Sequence, residues 1–250
     1  MKDTIAEILK IATEVIPGEK NSDRDYLIAQ YYQYHPRFSS IKNCAPNAKV
    51  LDVGCGAGSL GHWKNHLSPK RNDIHITGID LYSPTQKTTL DAFFKVNLDE
   101  EKLPFADNAF NFVFMSHLIE HVQDWKALLS ECDRVLKEDG TIYIETPSLH
   151  TIHLPARSEF IEKGFTCTTI NFYDDSTHTV TVDLDEVKNY MKDKGYYTIS
   201  QGYCKNVYLE DALIRHGFHN QDDEVTSYGI WSKLLFASGI LLQKKTGSSY

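Results

Sequence analysis

A short apolar run, Val50 to Val53, feeds directly into Gly54-Cys55-Gly56-Ala57-Gly58. A strand that breaks into a glycine turn before a helix lets the backbone take positive φ and leaves amide N–H groups facing a ligand. Four more apolar runs follow, at 74–80, 93–98, 110–115 and 141–146, each separated by stretches that read as helix. Strands alternating with helices predict an α/β fold, a doubly wound sheet with its ligand loop at the end of the first strand.

The flanking segments fit that frame. Residues 3–16 and 23–34 read as helices, the second rich in tyrosine (Tyr26, Tyr31, Tyr32, Tyr34) and expected to stop before Pro36. Residues 1–47 are therefore expected to form an N-terminal helical cap on the domain spanning 48–250. Asp124 is placed to cap a helix that Gly140 would follow. After Pro147 the regular alternation stops, giving an expected insertion over about 148–182. A helix over 182–196, a strand over 197–203 and a last strand over 239–245 complete the chain.

Composition narrows the function. Lys and Arg total 26 against 34 Asp and Glu, net −8, with no basic block, so nucleic acid is not an expected partner. Five scattered cysteines without a C-x-x-C pair suggest a reducing compartment and no thiolate metal knuckle. The first residues, MKDTIAEILKIATEVI, mix apolar and charged residues at helical spacing, unlike a signal peptide. The apolar stretch from Tyr228 to Leu242 is interrupted by Ser232, Lys233, Ser238 and Gly239 and is too short to span a bilayer. A soluble, cytoplasmic protein without membrane attachment is expected.

The loop admits two ligands. Gly56 to Gly61 matches the G-x-G-x-x-G dinucleotide pattern, and Asp80 follows at the distance of a ribose-binding acid. Asp52, however, puts a negative charge where a pyrophosphate would sit, and favours a cationic ligand instead. The run V-L-D-V-G-C-G-A-G resembles the first motif of the class I S-adenosylmethionine-dependent methyltransferases. I-T-G-I-D (76–80), L-P-F-A-D-N-A-F-N-F-V (103–113) and L-K-E-D-G-T-I-Y-I-E-T-P (136–147) resemble their later motifs. The resemblance implies a Rossmann-like seven-stranded sheet whose last strand is antiparallel. It implies S-adenosyl-L-methionine as cofactor, held by Asp52, Gly54, Cys55, Gly56 and Gly58. Asp80 would take the ribose hydroxyls and Leu81 flank the adenine, with Leu98 and Ser116 completing the site. Asn97 stands where the family usually has Asp for the adenine amino group, and its carbonyl oxygen also accepts. Asn111 replaces a second family Asp and reads as a structural change.

His117, Glu120 and His121 would share a face if they lay on a helix. The pattern H-x-x-E-H also describes an inverted zinc-protease motif, but its place at the end of a parallel strand argues against that reading. Related O-methyltransferases carry E-x-x-E-H here and bind a divalent ion. By that resemblance His117, Glu120, His121 and a distal His178 are candidate ligands for Mg or Mn. Without a metal, His117, His121 or His178 is the candidate general base, since imidazole titrates near neutrality. The polar segment with His150, His153, Asn171, Tyr173, Asp174 and Asp175 suits a small polar acceptor such as a sugar. The N-terminal tyrosines either pack or close over the cofactor with Arg37 near its carboxylate. The expected reaction is O-methylation; N- or C-methylation, an NAD-dependent oxidoreductase and a non-catalytic binding protein remain alternatives.

Overall fold

The computed structural model describes residues 2–16, 23–61, 68–84 and 90–246. It divides into two compact units. One holds Pro36–Thr146, Thr179–Gly202 and Ser238–Tyr250; the other holds Met1–His35, Pro147–His178 and Tyr203–Ala237.

The first unit is built on a seven-stranded sheet: β1 (Lys49–Val53), β2 (His75–Asp80), β3 (Ala92–Lys95), β4 (Phe110–Ser116), β5 (Leu136–Pro147), β6 (Tyr196–Tyr203) and β7 (Ala237–Lys244). Their order is β3-β2-β1-β4-β5-β7-β6, with β1 to β5 parallel and the last strand antiparallel, as the motifs imply. Strand order reverses beside β1, which opens a crevice at the carboxyl ends of β1 and β4. Val50, Leu51, Val113, Met115, Ile142 and Ile144 are all fully buried. Central parallel strands covered on both faces read as continuous apolar runs, as these do. Each such side chain contributes roughly 1.5–3 kcal/mol of burial.

Helix α4 (Trp125–Val135) packs Leu128, Leu129, Cys132 and Val135 into this core. Asp124 caps it as expected, accepting from the Ala127 amide at 3.0 Å. Its end is not as expected. The helix stops at Val135, and residues 136–140 belong to β5, so Gly140 is no helix terminator. Leu136 pairs with Phe110 while Thr141 pairs with Phe112, so the intervening residues bulge out of register, with Asp139 left-handed. The tyrosine-rich helix ends at Tyr34 with His35 extended, before Pro36 as expected, but Pro36 has a second role. It opens α3 (Pro36–Lys42), because a proline at the first helical position loses no intrahelical bond.

The second unit is mainly helical and holds α1 (Lys2–Thr13), α2 (Arg24–Tyr34), α5 (Arg157–Ile161), α7 (Glu210–Asn220) and α8 (Asp223–Lys233). Helix α6 (Leu184–Asp193) lies in the sheet unit and buries Leu184, Val187 and Met191. Ile5, Ile8 and Ala12 of α1 share a core with Phe160, Phe165, Ile214 and Ile230. Tyr31 stacks on Tyr228 at 4.1 Å between ring centroids and meets Tyr32 edge-on, so this part of the tyrosine cluster packs. No described helix is long and apolar enough to cross a membrane.

Helices α7 and α8 approach most closely at glycine. A Cβ on Gly217 would lie 2.3 Å from the Thr226 hydroxyl and 2.5 Å from the Thr226 amide nitrogen. Alanine gains up to about 1 kcal/mol over glycine in an open helix, but overpacking against backbone costs about 1–3 kcal/mol or more. Gly217→Ala should therefore lower stability in chemical denaturation; an unchanged or higher midpoint would refute the close packing.

Candidate active site

The glycine loop is shaped by three left-handed glycines, Gly54 (φ 74°), Gly56 (φ 51°) and Gly58 (φ 79°). Gly54 and Cys55 amides both donate to the Ile79 carbonyl, at 2.9 and 3.0 Å, tying the loop to the end of β2. Asp80 fixes the loop from the side. One carboxylate oxygen accepts from the Gly56 amide at 2.9 Å, the other from the Tyr82 amide at 3.0 Å. Asp80 thus holds the loop from the end of β2. The side chain of Leu118 fills the space a Gly54 Cβ would need, 2.7 Å away.

The other expected cofactor residues are distributed around this turn. Cys55 is buried, and burial, with Asp52 and Asp80 nearby, pushes its thiol up to about 12, which disfavours a reactive thiolate. Leu81 is exposed, and Leu98 packs partly against the sheet core. The Asn97 side-chain oxygen accepts from the Asp99 amide at 3.2 Å, which caps a tight turn and holds Asn97 at the end of β3. The Asn111 side chain accepts from the Lys49 amide at 3.0 Å, joining β4 to the start of β1.

Asp52 is 3% exposed, and burial pushes its carboxyl up to about 7 despite nearby Arg37, with Asp80 adding to the rise. Burial thus favours the neutral form of this acid beneath the loop.

Beside it lies a cluster centred on Glu145, whose side chain is wholly buried. Ser116 and Glu145 are register partners at the ends of β4 and β5. Glu145 accepts from the Tyr143 hydroxyl at 2.6 Å and pairs with the Arg37 guanidinium of α3. His117 Nε2 lies 3.2 Å from Glu145, and His117 Nδ1 lies 3.3 Å from Glu120. Glu120 is fully buried too and takes the Thr146 hydroxyl at 3.1 Å. Burial works against a charged ring at His117, but the two carboxylates outweigh it and push the imidazole up to about 9. With a carboxylate facing each ring nitrogen, the geometry favours the doubly protonated ring over a general base.

These contacts do not come from helical pitch. His117 has a left-handed backbone (φ 51°), its amide donates to the Glu145 carbonyl at 2.8 Å, and only residues 119–121 form a single 3-10 turn. The expected shared helix face is absent, and the sharp turn does its work. His121 lies half-buried at the end of that turn. His178 belongs to the helical unit, where its Nδ1 meets the Phe172 carbonyl at 2.6 Å. A divalent ion held by His117 does not fit this arrangement, since each ring nitrogen already faces a carboxylate.

Much of the polar segment after β5 is spent on its own fold. Asp174 accepts from the amides of Arg157, Ile170 and Asn171; Asn171 donates to the Leu154 carbonyl at 2.6 Å. His150 is held between the Ser148 hydroxyl and the Leu234 carbonyl. His153 and Tyr173 stay exposed. A cavity of about 700 Å³ lies elsewhere, by α3, Phe112, Thr141 and Gln243 near the starts of β4 and β5, away from the loop.

Comparison with known proteins gives consistent results. A family model described as a methyltransferase domain matches residues 21–201. Among curated proteins, a ubiquinone biosynthesis O-methyltransferase of Xanthomonas campestris is 29% identical over 109 residues, covering 40% of this chain and 44% of that protein. One from Xylella fastidiosa is 28% identical over 107 residues, covering 40% and 42%. The chain thus matches less than half the length of these relatives. Among solved structures, a SAM-dependent methyltransferase from Archaeoglobus fulgidus superposes with TM-score 0.54 at 22% identity, covering 90% of this chain and 97% of the other. An N-methyltransferase from Haemonchus contortus, solved with phosphomonomethylethanolamine and S-adenosylhomocysteine, gives TM-score 0.56 at 17% identity, covering 89% and 58%. Both structural matches establish likeness of fold.

Two outcomes follow from the geometry. Asp80→Ala removes the Gly56 anchor and should weaken S-adenosylhomocysteine binding by more than about tenfold in calorimetry, the scale of a lost charged hydrogen bond; unchanged affinity would mean the ribose edge lies elsewhere. For Asp52 the folded carboxyl titrates above its unfolded value, so the native state holds the extra proton and loses stability as pH rises from about 4 to about 7. The unfolding midpoint of Asp52→Asn should therefore gain on wild type across that interval. Parallel curves would contradict a buried, raised carboxyl.

Proposed function

Because this chain belongs to the class I S-adenosylmethionine-dependent methyltransferase family, we propose that it transfers the methyl group of S-adenosyl-L-methionine to a hydroxyl of a sugar or another small polar metabolite. The observation that carries the reading is the acidic floor of the glycine loop. Asp52 lies buried under it and Asp80 clasps the Gly56 amide. Asp52, once ionised, opposes a pyrophosphate and suits a sulfonium and an ammonium group, which favours the methyl donor over a dinucleotide. The printed function of the curated relatives, O-methylation in ubiquinone biosynthesis, supports a hydroxyl acceptor.

In this reading the acceptor oxygen attacks the methyl carbon in line with the departing sulfur. A C–O bond forms, the C–S bond breaks, and S-adenosylhomocysteine leaves as a neutral thioether. The hydroxyl proton goes to a base. His117 is unsuited, since its ring is held protonated between Glu120 and Glu145. His121, next along the turn and half-buried, takes that part, worth roughly 10²–10⁴ in rate. His117 and Arg37 fix the electrostatics around the mouth.

The test is mass spectrometry of reactions containing S-adenosyl-L-methionine and a panel of sugars, phenols and amines. A hydroxylated compound should gain one methyl group, and His121→Asn should slow its formation by about 10²-fold or more while leaving S-adenosylhomocysteine affinity in place. Methylation confined to amines, or full activity in His121→Asn, would overturn the O-methylation reading.

A further inference from the structure

Two fully buried carboxylates, Glu120 and Glu145, converge on one ring. Glu120 Oε1 accepts no hydrogen bond among the described residues, and the nearest ring nitrogen, His117 Nδ1, lies 3.3 Å from it. The other ring nitrogen lies 3.2 Å from Glu145, which also pairs with Arg37. The backbone holds the ring in place: the His117 amide is bonded to the Glu145 carbonyl, and the Thr179 amide and hydroxyl both donate to the Glu120 carbonyl, at 2.9 and 3.1 Å. An imidazole between two buried acids satisfies the need for positive charge that a hard divalent ion would otherwise satisfy.

We propose that the His117 ring is the resident counter-cation of this mouth, filling the place between Glu120 and Glu145 that a divalent ion would need. The chain consequently binds its cofactor without a metal there. A carboxylate at position 117 would convert the same pocket into a divalent-cation site, with three oxygens in place of a ring and two. The proposal concerns the charge between these acids; it rests on the methyl-donor reading only in that the cofactor is used as a reporter.

The experiment titrates MnCl₂ into wild type, His117→Glu and His117→Gln by calorimetry, and S-adenosylhomocysteine into each with and without chelator. Wild type should bind Mn²⁺ no tighter than about 1 mM, and His117→Glu at least about tenfold tighter, in the range of carboxylate-rich sites. Chelator should leave S-adenosylhomocysteine affinity of wild type unchanged. Sub-100 µM Mn²⁺ binding by wild type that Glu120→Gln abolishes, on the scale of a built divalent site, would overturn the proposal. So would a folded His117→Glu that binds no tighter than wild type. Should His117→Glu not unfold cooperatively, His117→Gln decides: Mn²⁺ should raise its unfolding temperature and not that of wild type, and equal responses would refute the idea. A wild type that ignores S-adenosylhomocysteine would sink the cofactor reading while the Mn²⁺ comparison still stands or falls alone.

Discussion

The candidate site is organised by one buried carboxylate. Glu145 sits at the end of β5 with no exposure, and meets Tyr143 on its own strand, His117 just beyond β4 and Arg37 of α3. Three separate pieces of chain are joined at one side chain. Removing one member of such a set leaves the others charged and dry, at a cost of about 3–5 kcal/mol. The partners are therefore interdependent: the left-handed turn at His117 and the placement of α3 are both settled against the same acid.

Acids in this mouth meet different surroundings. Arg37 binds Glu145 directly, whereas its influence on Asp52 is too weak to offset burial, and that carboxyl rises to about 7. Asp80, by contrast, spends both oxygens on backbone amides and so acts on loop shape. Identical chemical groups within one crevice thus become a counter-ion, a poised acid and a clasp, according to what each touches.

The strand pattern, the loop and Asp80 could be read from the sequence because they follow from local rules: apolar runs set by parallel burial and glycines set by positive φ. Asp124 was legible as a cap for the same reason. Three features were not. Helix α4 ends at Val135 because residues 136–140 are drawn into the bulged start of β5, a tertiary effect that the glycine signal at 140 conceals. Pro36, whose ring ends α2 as expected, also opens α3, which the sequence reading did not include. The Glu145 cluster joins residues up to 108 positions apart, and no spacing rule reaches that far. Its one local signal is a glutamate inside the otherwise buried strand TIYIET, where an acid is costly unless paired. The grouping of His117 with Glu120 was expected from helical pitch, yet the structure reaches it through a reversed backbone angle.

That angle, φ 51° at His117, also acts as a filter on which side chains the position can inherit. Left-handed backbone is tolerated by glycine, asparagine, aspartate and histidine and resisted by β-branched residues. Of that short menu only histidine brings a positive charge. Drift at this codon towards valine, isoleucine or threonine is opposed by the main chain, and drift towards the small tolerated residues is opposed by the two acids. The position is held by two unrelated pressures, one steric and one electrostatic, and histidine is where they agree.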